Sequence, residues 1–336
     1  MAEADEDDAL YDAIGAYVVP QLLYVAATLE LADHLRDAPL DLDALVERSG
    51  ANPDALARVL RALVGLGIFA RSRVGLYRLE RAAEPLLRDH PRSRRAAILY
   101  AGDLQHRAWG SVMHSLQTGR SAFEHAFGQG IREHLASDEQ AMRVAEEVRL
   151  RRNAGRNRAI ADVIPLERVQ TIADVGGGSG ELLIELLRRN PSARGILIEL
   201  PEVAARAHAH LAAQGFADRI DVVAGDAREG VRVEADIALI AEVVHCMDDA
   251  DAAALLRRCP GKRVYVAERV LPPAGRASAG VFADLHMLVM FGGRERTRGE
   301  FSRVFESAGL RVRRVLATQS WVSVLEAIRS KPSTND

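Results

Sequence analysis

The chain has 336 residues, of which 48% are hydrophobic and 27% charged, and its formal net charge is −3 at pH 7. This length suits two domains with a sizeable core, and the small net charge gives no general reason to expect a nucleic acid or an anionic membrane as a partner. The acidic start lacks the features of a signal peptide, no apolar run approaches membrane-spanning length, and the two cysteines fit neither a metal site nor a disulfide framework. We therefore expect a cytoplasmic enzyme without a metal ion.

The chain begins with an apolar helical pattern. Ala9 to Ala38 predicts one helix that carries few charged residues. So little polar surface on a helix indicates that something covers it, and a second copy of the chain is the covering that we favour.

A winged-helix pattern follows. Helices are predicted at Leu42–Arg48 and Asp54–Leu66, and a short hairpin between Ile68 and Leu79. Asn52 as cap and Pro53 at the first position are typical of a helix start. Arginines on these elements favour DNA binding, but acidic residues lie among them and the chain has no basic excess. We therefore favour a structural or dimerising role.

Ala96 to Arg158 predicts a second helical stretch, closed by a long charged helix from Asp138 to Arg158. The four histidines of this stretch share no metal-ligand spacing, and His106 is the one that we retain as a candidate substrate contact. We accordingly expect a winged-helix-like domain at 1–95, a helical connector at 96–165 and a ligand-binding domain at 166–336.

The clearest motif is TIADVGGGSG, from Thr171 to Gly180, with four glycines in five positions. A buried strand is predicted at Val169–Val175 and a helix at Glu181–Arg189, so the glycines form a strand-to-helix turn. Residues without Cβ let a ligand approach the backbone, and the open N–H groups of the next helix favour a small, partly anionic ligand. The spacing matches neither the dinucleotide fingerprint nor a phosphate loop, and alone it also fits a tight turn of any α/β domain.

Two acids follow at the ends of the next predicted strands. The strand Ala193–Leu200 ends with Glu199, about 20 residues beyond the glycine turn, where an acid can accept hydrogen bonds from both hydroxyls of a ribose. The strand Arg219–Ala224 leads into Gly225 and Asp226, which places a second carboxylate at the same edge. Because no phosphate-binding group is present, a nucleoside with an amino-acid tail fits better than a nucleotide.

This stretch resembles the S-adenosylmethionine site of a class I methyltransferase. The resemblance implies that Asp174 and the glycines face the methionine part of the cofactor, Glu199 the ribose and Asp226 the adenine. The cofactor contacts that it implies are Asp174, Gly176, Gly178, Gly180, Glu199, Leu200, Gly225, Asp226, Ala227, Ala241 and Met247.

A histidine stands after the fourth predicted strand. Ala235–Val244 is apolar and runs directly into His245, which would place the ring at the carboxyl end of a parallel strand, where open α/β sheets bind their ligands. A pKa near 6.5 suits an imidazole to proton abstraction at neutral pH. A loop histidine beside a helix cap at Asp248 or Asp249 is an equal alternative at this point.

Two further carboxylates favour the catalytic interpretation. The predicted strand Arg263–Ala267 delivers Glu268, and a glycine turn bears Glu295 ahead of a predicted helix at Arg298–Ala308, which Thr297 can cap. A carboxylate beside an imidazole fixes its tautomer and stabilises the imidazolium that forms when the ring takes a proton. The chain ends with a predicted antiparallel strand pair, Arg311–Ala317 and Ser320–Ala327.

Together these stretches resemble the bacterial small-molecule O-methyltransferases of the family that includes the plant caffeate and flavonoid enzymes, from about Ala9 to Ala327. The matching stretches are LQTGRSAFE, ADVGGGSG, IELPEV, VVHCMDD, AERVLPP, FADLHML and GGRERT. The resemblance implies an α/β fold, with a Rossmann-like parallel sheet that has an antiparallel edge strand, preceded by a mostly α-helical winged-helix domain that forms a homodimer. In that family a histidine at the position of His245 deprotonates the phenol, and acids at the positions of Glu268 and Glu295 flank it.

The resemblance also implies a substrate pocket that the partner chain can complete. An apolar pocket with few polar groups suits a planar aromatic acceptor such as a phenol, a naphthoate or a polyketide ring, in secondary metabolism. The substrate contacts that we predict are His106, Trp109, Phe123, Asp284, His286, Met287 and Met290, and the pocket would also include Phe282 and Phe291.

The chain departs from the family pattern at four positions, one of which is Glu199, where aspartate is commoner and the change alters reach more than chemistry. Cys246 replaces the common aspartate, Met247 stands where an aromatic residue is usual, and His286 stands where bacterial relatives often carry asparagine. Some relatives keep the cofactor site yet catalyse hydroxylation, decarboxylation or pericyclic steps, so a non-methylating relative is the alternative. Retention of the histidine and both acids favours methylation. A winged-helix regulator that senses the cofactor is a third hypothesis.

Overall fold

A computed structural model of the chain describes residues 13–273 and 278–329. Contacts between residues divide it into two compact units. The first unit holds the described residues up to Gly110 together with Ser137–Val148, and the second holds Ser111–Ala136 together with those from Arg149 onward. The division at 1–95, 96–165 and 166–336 stays a prediction. No helix of the described residues is long and apolar enough to cross a membrane.

The first unit contains the predicted order of helix, turn, helix and hairpin. Its elements are α1 (Val18–Thr28), α2 (Leu31–His34), α3 (Leu42–Ser49), α4 (Pro53–Gly65) and the antiparallel strands β1 (Phe69–Arg71) and β2 (Tyr77–Leu79). Asp41 and Asn52 cap α3 and α4 through their side chains. The apolar faces of these elements form one core around Leu45, Leu60 and Phe69.

The single helix predicted from Ala9 to Ala38 is wrong within its described part. The chain breaks between α1 and α2, where Glu30 takes a left-handed φ of 52°. The carboxylate of Glu30 accepts hydrogen bonds from the guanidinium groups of Arg88 and Arg95, which stabilise an unfavourable backbone conformation. The part of the predicted helix before residue 13 lies outside the described residues.

Helical segments continue to the start of the main sheet. They are a 3-10 helix (Arg81–Leu86), α5 (Arg95–Tyr100), a π-helix (Ala101–Gln105), α6 (His106–Gly110), α7 (Val112–Thr118), α8 (Ala122–Phe127), α9 (Ile131–Ser137) and α10 (Glu139–Val163). The long charged helix predicted to end at Arg158 is α10, which extends to Val163. The extension follows because Ile160 and Ala161 are buried in a hydrophobic core of the second unit.

The second unit is built on a sheet of seven strands in the order β10-β11-β7-β6-β3-β4-β5. The strands are β3 (Thr171–Val175), β4 (Arg194–Glu199), β5 (Ile220–Ala224), β6 (Ile237–Ala241), β7 (Arg263–Glu268), β10 (Leu310–Ala317) and β11 (Ser323–Arg329). Strands β3 to β7 are parallel, whereas β11 is antiparallel to both β7 and β10. The predicted parallel sheet with an antiparallel edge is thereby confirmed.

Helices cover both faces of this sheet. They are α11 (Glu181–Arg189), α12 (Pro201–Ala213), α13 (Asp249–Arg258) and α15 (Arg298–Ser307). A further helix, α14 (Ala279–Phe291), packs on α7 and α8, and a short parallel pair, β8 (Val270–Leu271) and β9 (Arg296–Thr297), precedes and follows it in the chain. Alternate residues of a strand enter opposite cores, so Leu239 packs with α11 while Ile240 packs with α13 and α15. Burial on both faces explains why these strands are apolar throughout.

The fourth predicted strand, Ala235–Val244, is too long at both ends. Strand β6 ends at Ala241, and Glu242 then takes a left-handed φ of 53°. Val244–Cys246 forms a 3-10 turn, so His245 does not follow the strand directly but lies in a separate turn beyond its carboxyl end. The chain order β3, β4, β5, β6 reverses direction at β3, which opens a crevice between β3 and β6 at this edge of the sheet.

Candidate active site

The glycine turn joins β3 to α11 at the edge of this crevice. Gly176, Gly178 and Gly180 all have positive φ angles. A Cβ atom on Gly177 would lie 2.3 Å from Oδ2 of Asp174, whereas a Cβ atom on Gly178 would meet nothing within 4 Å. The turn therefore packs closely against β3 on one side and leaves its backbone open to a ligand on the other.

Asp174 is a buried carboxylate at this turn, with 1% of its surface exposed. Neither of its oxygens has a hydrogen-bond partner among the described residues. Burial and the nearby charge of Glu199 raise the pKa of Asp174 to about 7, although Arg156 opposes them. Because a buried unpaired carboxylate is unfavourable, this site fits a cationic donor such as the ammonium of an amino acid.

Glu199 ends β4 with its side chain fixed by two backbone amides. Oε1 accepts a hydrogen bond from the N–H of Gly178 at 2.8 Å and Oε2 accepts one from the N–H of Leu200 at 2.9 Å. The N–H of Gly225 donates to the carbonyl of Glu199 at 2.9 Å and so joins β4 to the loop after β5. Each carboxylate oxygen retains acceptor capacity, as two hydroxyls of a ribose require.

Asp226 is paired with an arginine that the sequence did not indicate. Nη2 of Arg228 lies 2.6 Å from Oδ2, and the N–H of Arg228 donates to Oδ1 at 2.8 Å. These hydrogen bonds hold the pKa of Asp226 below its ordinary value. Ala227 and Met247 are half-buried against one hydrophobic core, and Ala241 is half-buried against the other. A cleft of about 180 Å³ opens here, and its lining includes Arg132, Arg228, Cys246, Met247, Met290 and Phe291.

His245 lies between two buried carboxylates. Its Nδ1 is 3.3 Å from Oε2 of Glu268 and 3.4 Å from Oε1 of Glu295, and the exposed fractions of the three residues are 7%, 0% and 4%. Neither contact is an aligned hydrogen bond, since Nδ1 has no such partner among the described residues. The predicted convergence of the three side chains is therefore present in the structure.

The electrostatics of this group favour a protonated ring. Burial disfavours the imidazolium, but the carboxylate of Glu268, with contributions from Cys246 and Glu295, raises the pKa of His245 well above its ordinary value. Burial raises the pKa of Glu268 to about 7, although the charge of His245 opposes the shift. The ligand atoms of all three residues lie within 4.8 Å of one another, a spacing that could also hold a metal ion.

Glu268 also holds the turn that carries the histidine. Its Oε1 accepts hydrogen bonds from the N–H groups of Val243, Val244 and His245, at 3.0, 2.8 and 3.4 Å. One oxygen of the carboxylate thus caps the 3-10 turn while the other faces the ring. Because Glu268 ends β7 and contacts both the turn and the ring, it sets the position of His245 relative to β7.

The predicted substrate contacts fall into separate groups. His106 and Trp109 lie on α6 in the first unit, and their role stays a prediction. Phe123 is fully buried and stacks on Phe127 at 4.2 Å in the interior of the second unit, and its role as a substrate contact also stays a prediction. Phe282 is 78% exposed, so it does not line a pocket of a single chain.

The remaining candidates lie on α14. Met287 and Met290 are buried, Phe291 is half-buried, and burial lowers the pKa of the half-buried His286. Asp284 accepts a hydrogen bond from the N–H of Glu295 at 2.8 Å, and burial raises its pKa. Asp284 therefore orients the segment that bears Glu295.

The structure contains an ion-pair network beside the crevice that was not predicted from the sequence. The carboxylate of Glu242 accepts hydrogen bonds from Arg152 and Arg156 of α10, and from Nε1 of Trp321 at 2.9 Å. Burial opposes ionisation of Glu242, but the two arginines hold its pKa below the ordinary value. Their spacing of four residues on one helix face was the available signal, because it places both guanidinium groups on the same side.

Models of two protein families match the chain. The O-methyltransferase domain matches residues 109–311, and the O-methyltransferase dimerisation domain matches residues 11–89. The chain belongs to the O-methyltransferase family. The fold class and the activity class predicted from the sequence are confirmed by these matches.

This O-methyltransferase is similar over nearly its whole length to characterised bacterial proteins. It is 36% identical to the phenazine O-methyltransferase PhzM of Lysobacter antibioticus, over 95% of each chain. It is 33% identical to the aclacinomycin 10-hydroxylase RdmB of Streptomyces purpurascens, over 92% of this chain and 86% of that one. The structure is also similar to the O-methyltransferase NcsB1 from neocarzinostatin biosynthesis, in complex with S-adenosylmethionine and 2-hydroxy-5-methyl naphthoic acid. That likeness has a TM-score of 0.84 and 32% identity, and it covers 93% of this chain and 96% of the other.

Asp174 should make the protein less stable as the pH rises. Its pKa is about 7 in the folded protein, whereas an unburied aspartate has a pKa near 3.9. The folded state keeps a proton that the unfolded state loses, so the free energy of unfolding should fall by up to roughly 4 kcal/mol between about pH 4 and pH 7. Asp174→Asn should remove this part of the decrease, as measured by urea denaturation across the range.

Asp236, an aspartate at the other end of β3, is a matched control for the pH dependence expected from Asp174. Its Oδ2 accepts hydrogen bonds from the N–H groups of Gln170 at 2.8 Å and Thr171 at 3.2 Å, and these hold its pKa below the ordinary value. Its contribution has the opposite sign, because it is present above the ordinary pKa and is lost as the pH falls. An Asp174→Asn variant with the pH dependence of the wild type would contradict the expectation.

Proposed function

We propose that this O-methyltransferase transfers a methyl group from S-adenosylmethionine to a hydroxyl of a small aromatic acceptor of the phenol, naphthoate or polyketide type, in secondary metabolism such as antibiotic biosynthesis. The observation that carries the proposal is a buried histidine between two buried carboxylates, at the edge of a crevice whose glycine turn exposes backbone. The relatives named for a phenazine and solved with a naphthoic acid support a planar aromatic acceptor.

The crevice residues fit the parts of the proposed cofactor. Asp174 offers an unpaired carboxylate to the ammonium of the methionine part, and the nearby positive charge of Arg156 suits its carboxylate. Glu199 suits the ribose, and Asp226 the adenine. When bound, the cofactor supplies a methyl group on a sulfonium and leaves as S-adenosylhomocysteine.

The task of the protein is to remove the proton of the acceptor while holding it in line. A phenol has a pKa near 10, so ionising it at neutral pH costs roughly 4 kcal/mol. His245 accepts that proton, and Glu268 and Glu295 stabilise the resulting imidazolium. Because both carboxylates already favour the protonated ring, His245 must first lose a proton, and the reaction should be faster on the alkaline side of neutrality.

A non-methylating reaction is the second candidate. The similarity to a 10-hydroxylase supports it, since the match covers 92% of this chain and 86% of that relative. The presence of His245 with both carboxylates supports methylation instead, because a hydroxyl acceptor must lose its proton to a base. The product distinguishes the two reactions, as methyl transfer adds one methyl group to the acceptor.

His245→Ala should lower the turnover number by roughly 100-fold to 10,000-fold, the usual contribution of a general base, and leave the dissociation constant of S-adenosylmethionine within about threefold. The assay is mass spectrometry with methyl-labelled S-adenosylmethionine and a panel of hydroxylated aromatic acids. His210→Ala is the matched control, because His210 also pairs with a glutamate, Glu181, and should retain turnover.

Near-normal turnover of His245→Ala would refute the role of the base. Conversion of an acceptor without the gain of a methyl group would establish the non-methylating reaction. A chelator should leave turnover unchanged, whereas a requirement for added metal would assign the three converging side chains to an ion.

Glu268→Gln should move the rise of turnover with pH towards lower pH. The carboxylate raises the pKa of His245, so the neutral ring that acts as base forms at lower pH without it. The glutamine oxygen can still cap the turn, and the turnover number at the plateau should fall by about tenfold because the imidazolium is less stabilised. Glu295→Gln should give a smaller shift in the same direction. A midpoint that stays in place or rises in Glu268→Gln would contradict this account of the pH dependence.

We also infer a homodimer formed through the dimerisation domain. Ile14, Tyr17, Val18 and Val19 are apolar and between 38% and 65% exposed at the start of the first unit, so they offer a surface for a second copy. Val18→Glu should yield monomers in sedimentation equilibrium at micromolar concentration, while Val74→Glu, at a position 81% exposed on the hairpin loop, should not. A dimeric Val18→Glu variant would argue against this surface. The cytoplasmic location and the lack of a nucleic-acid partner stay predictions.

A further inference from the structure

The turn that carries His245 is held by its carbonyl groups as well as by its amides. Nη1 of Arg296 donates to the carbonyl of Val244 at 3.1 Å, and Nη2 donates to the carbonyl of Met247 at 2.8 Å. Nε of the same guanidinium donates to Oδ1 of Asp249 at 2.8 Å. One side chain thus binds the backbone on both sides of the histidine.

The segment before Arg296 lies directly against the histidine. The N–H of Arg294 donates to the carbonyl of His245 at 2.8 Å. A Cβ atom on Gly293 would lie 2.1 Å from that carbonyl oxygen, a distance that no side chain can adopt without moving the backbone. Close contact at Gly293 therefore brings the N–H of Arg294 and the guanidinium of Arg296 to the carbonyl side of the turn.

Arg296 is fully buried, with 0% of its side chain exposed, and its carboxylate partner Asp249 is 53% exposed. A buried cation with one solvent-accessible partner is a poor source of stability, since a hydrophobic residue of similar size would serve the core as well. Its guanidinium carries N–H donors in a rigid planar fork, which can bind several carbonyl groups at fixed angles. The arrangement suits geometric control of the turn.

We propose that Arg296 is a positioning residue for the general base, acting through the backbone of residues 244–247 to fix the imidazole of His245 against Glu268 and Glu295. This inference rests on the proposed function for its effect on turnover. The expected effect on the position and titration of the His245 ring does not depend on the proposed function. Arg296 itself touches neither the acceptor nor the cofactor in this role.

Arg296→Lys is the test variant, because lysine keeps the charge but lacks the fork. Arg219→Lys is the matched control, since Nη2 of Arg219 donates to the carbonyls of Leu187, Asn190 and Ala193 at the opposite end of the sheet. A histidine titration by NMR on the full chain should show the midpoint of His245 lowered by about one pH unit in Arg296→Lys, as the ring moves away from its carboxylates. Arg219→Lys should leave it unchanged.

Turnover supplies the second readout. Arg296→Lys should lower the turnover number by roughly 100-fold, the cost of a displacement of about 1 Å at a reacting group. In the His245→Ala background, assayed near pH 9, the same substitution should cost less than about twofold, because the base that it positions is absent. Arg219→Lys should retain turnover in the wild-type background.

The outcomes separate this proposal from the proposed function. An unchanged titration of His245 in folded Arg296→Lys, or an equal loss of turnover in both backgrounds, would overturn the positioning role. Normal turnover of His245→Ala with a shifted titration in Arg296→Lys would refute the base and retain the positioning. If Arg296→Lys does not fold, Asp249→Ala removes one partner of the guanidinium without emptying the buried site, and it should lower turnover by about fivefold only when His245 is present.

Discussion

The arrangement around His245 depends on one buried carboxylate, that of Glu268. Parallel pairing sets Ala241 of β6 opposite Ala267 of β7, so Glu268 ends its strand just where the neighbouring chain leaves the sheet. Amides of the departing chain have no ladder partner at that point, and one oxygen of Glu268 binds three of them. The other oxygen then faces His245. The register of two strands and the hydrogen-bonding needs of three amides therefore determine where the imidazole lies.

Local pattern was sufficient for the elements whose ends are set by local chemistry. Helix α11 was predicted residue for residue, because a glycine precedes it and apolar residues recur at helical spacing. The predictions of the first helix and of β6 were wrong for the same reason. Glu30 and Glu242 are non-glycine residues in left-handed conformations, and each is held by arginines at least 58 residues away in the sequence. A short window of sequence does not contain both the glutamate and its arginines. The apolar periodicity used for prediction therefore extends through both breaks.

Contacts between residues distant in the sequence also separate the candidate site residues that the sequence indicated from those that it missed. The histidine and its two acids were accessible because residues after parallel strands meet at one edge of a sheet. Arg296 and Arg156 were not, because the chain has 44 lysines and arginines and composition does not mark which guanidinium groups become buried. The spacing of Arg152 and Arg156 indicates a shared helix face but not their partner, Glu242. The sequence also does not show which aromatic residues of the motifs become buried. Phe123 and Phe282 both occur in motifs of the family, yet one lies in the core and the other is exposed.

The turn around His245 is bound almost entirely through main-chain atoms, by Glu268 on its amides and by Arg294 and Arg296 on its carbonyls. Main-chain atoms are the same for every residue type, so these hydrogen bonds do not depend on which side chains stand at positions 246 and 247. Both residues also line the cleft, so substitutions there can change its lining and leave the hydrogen bonds of the turn intact. Such a separation lets the lining of the cleft change by point substitution on an unchanged backbone, and it marks residues 246 and 247 as positions at which to begin directed evolution.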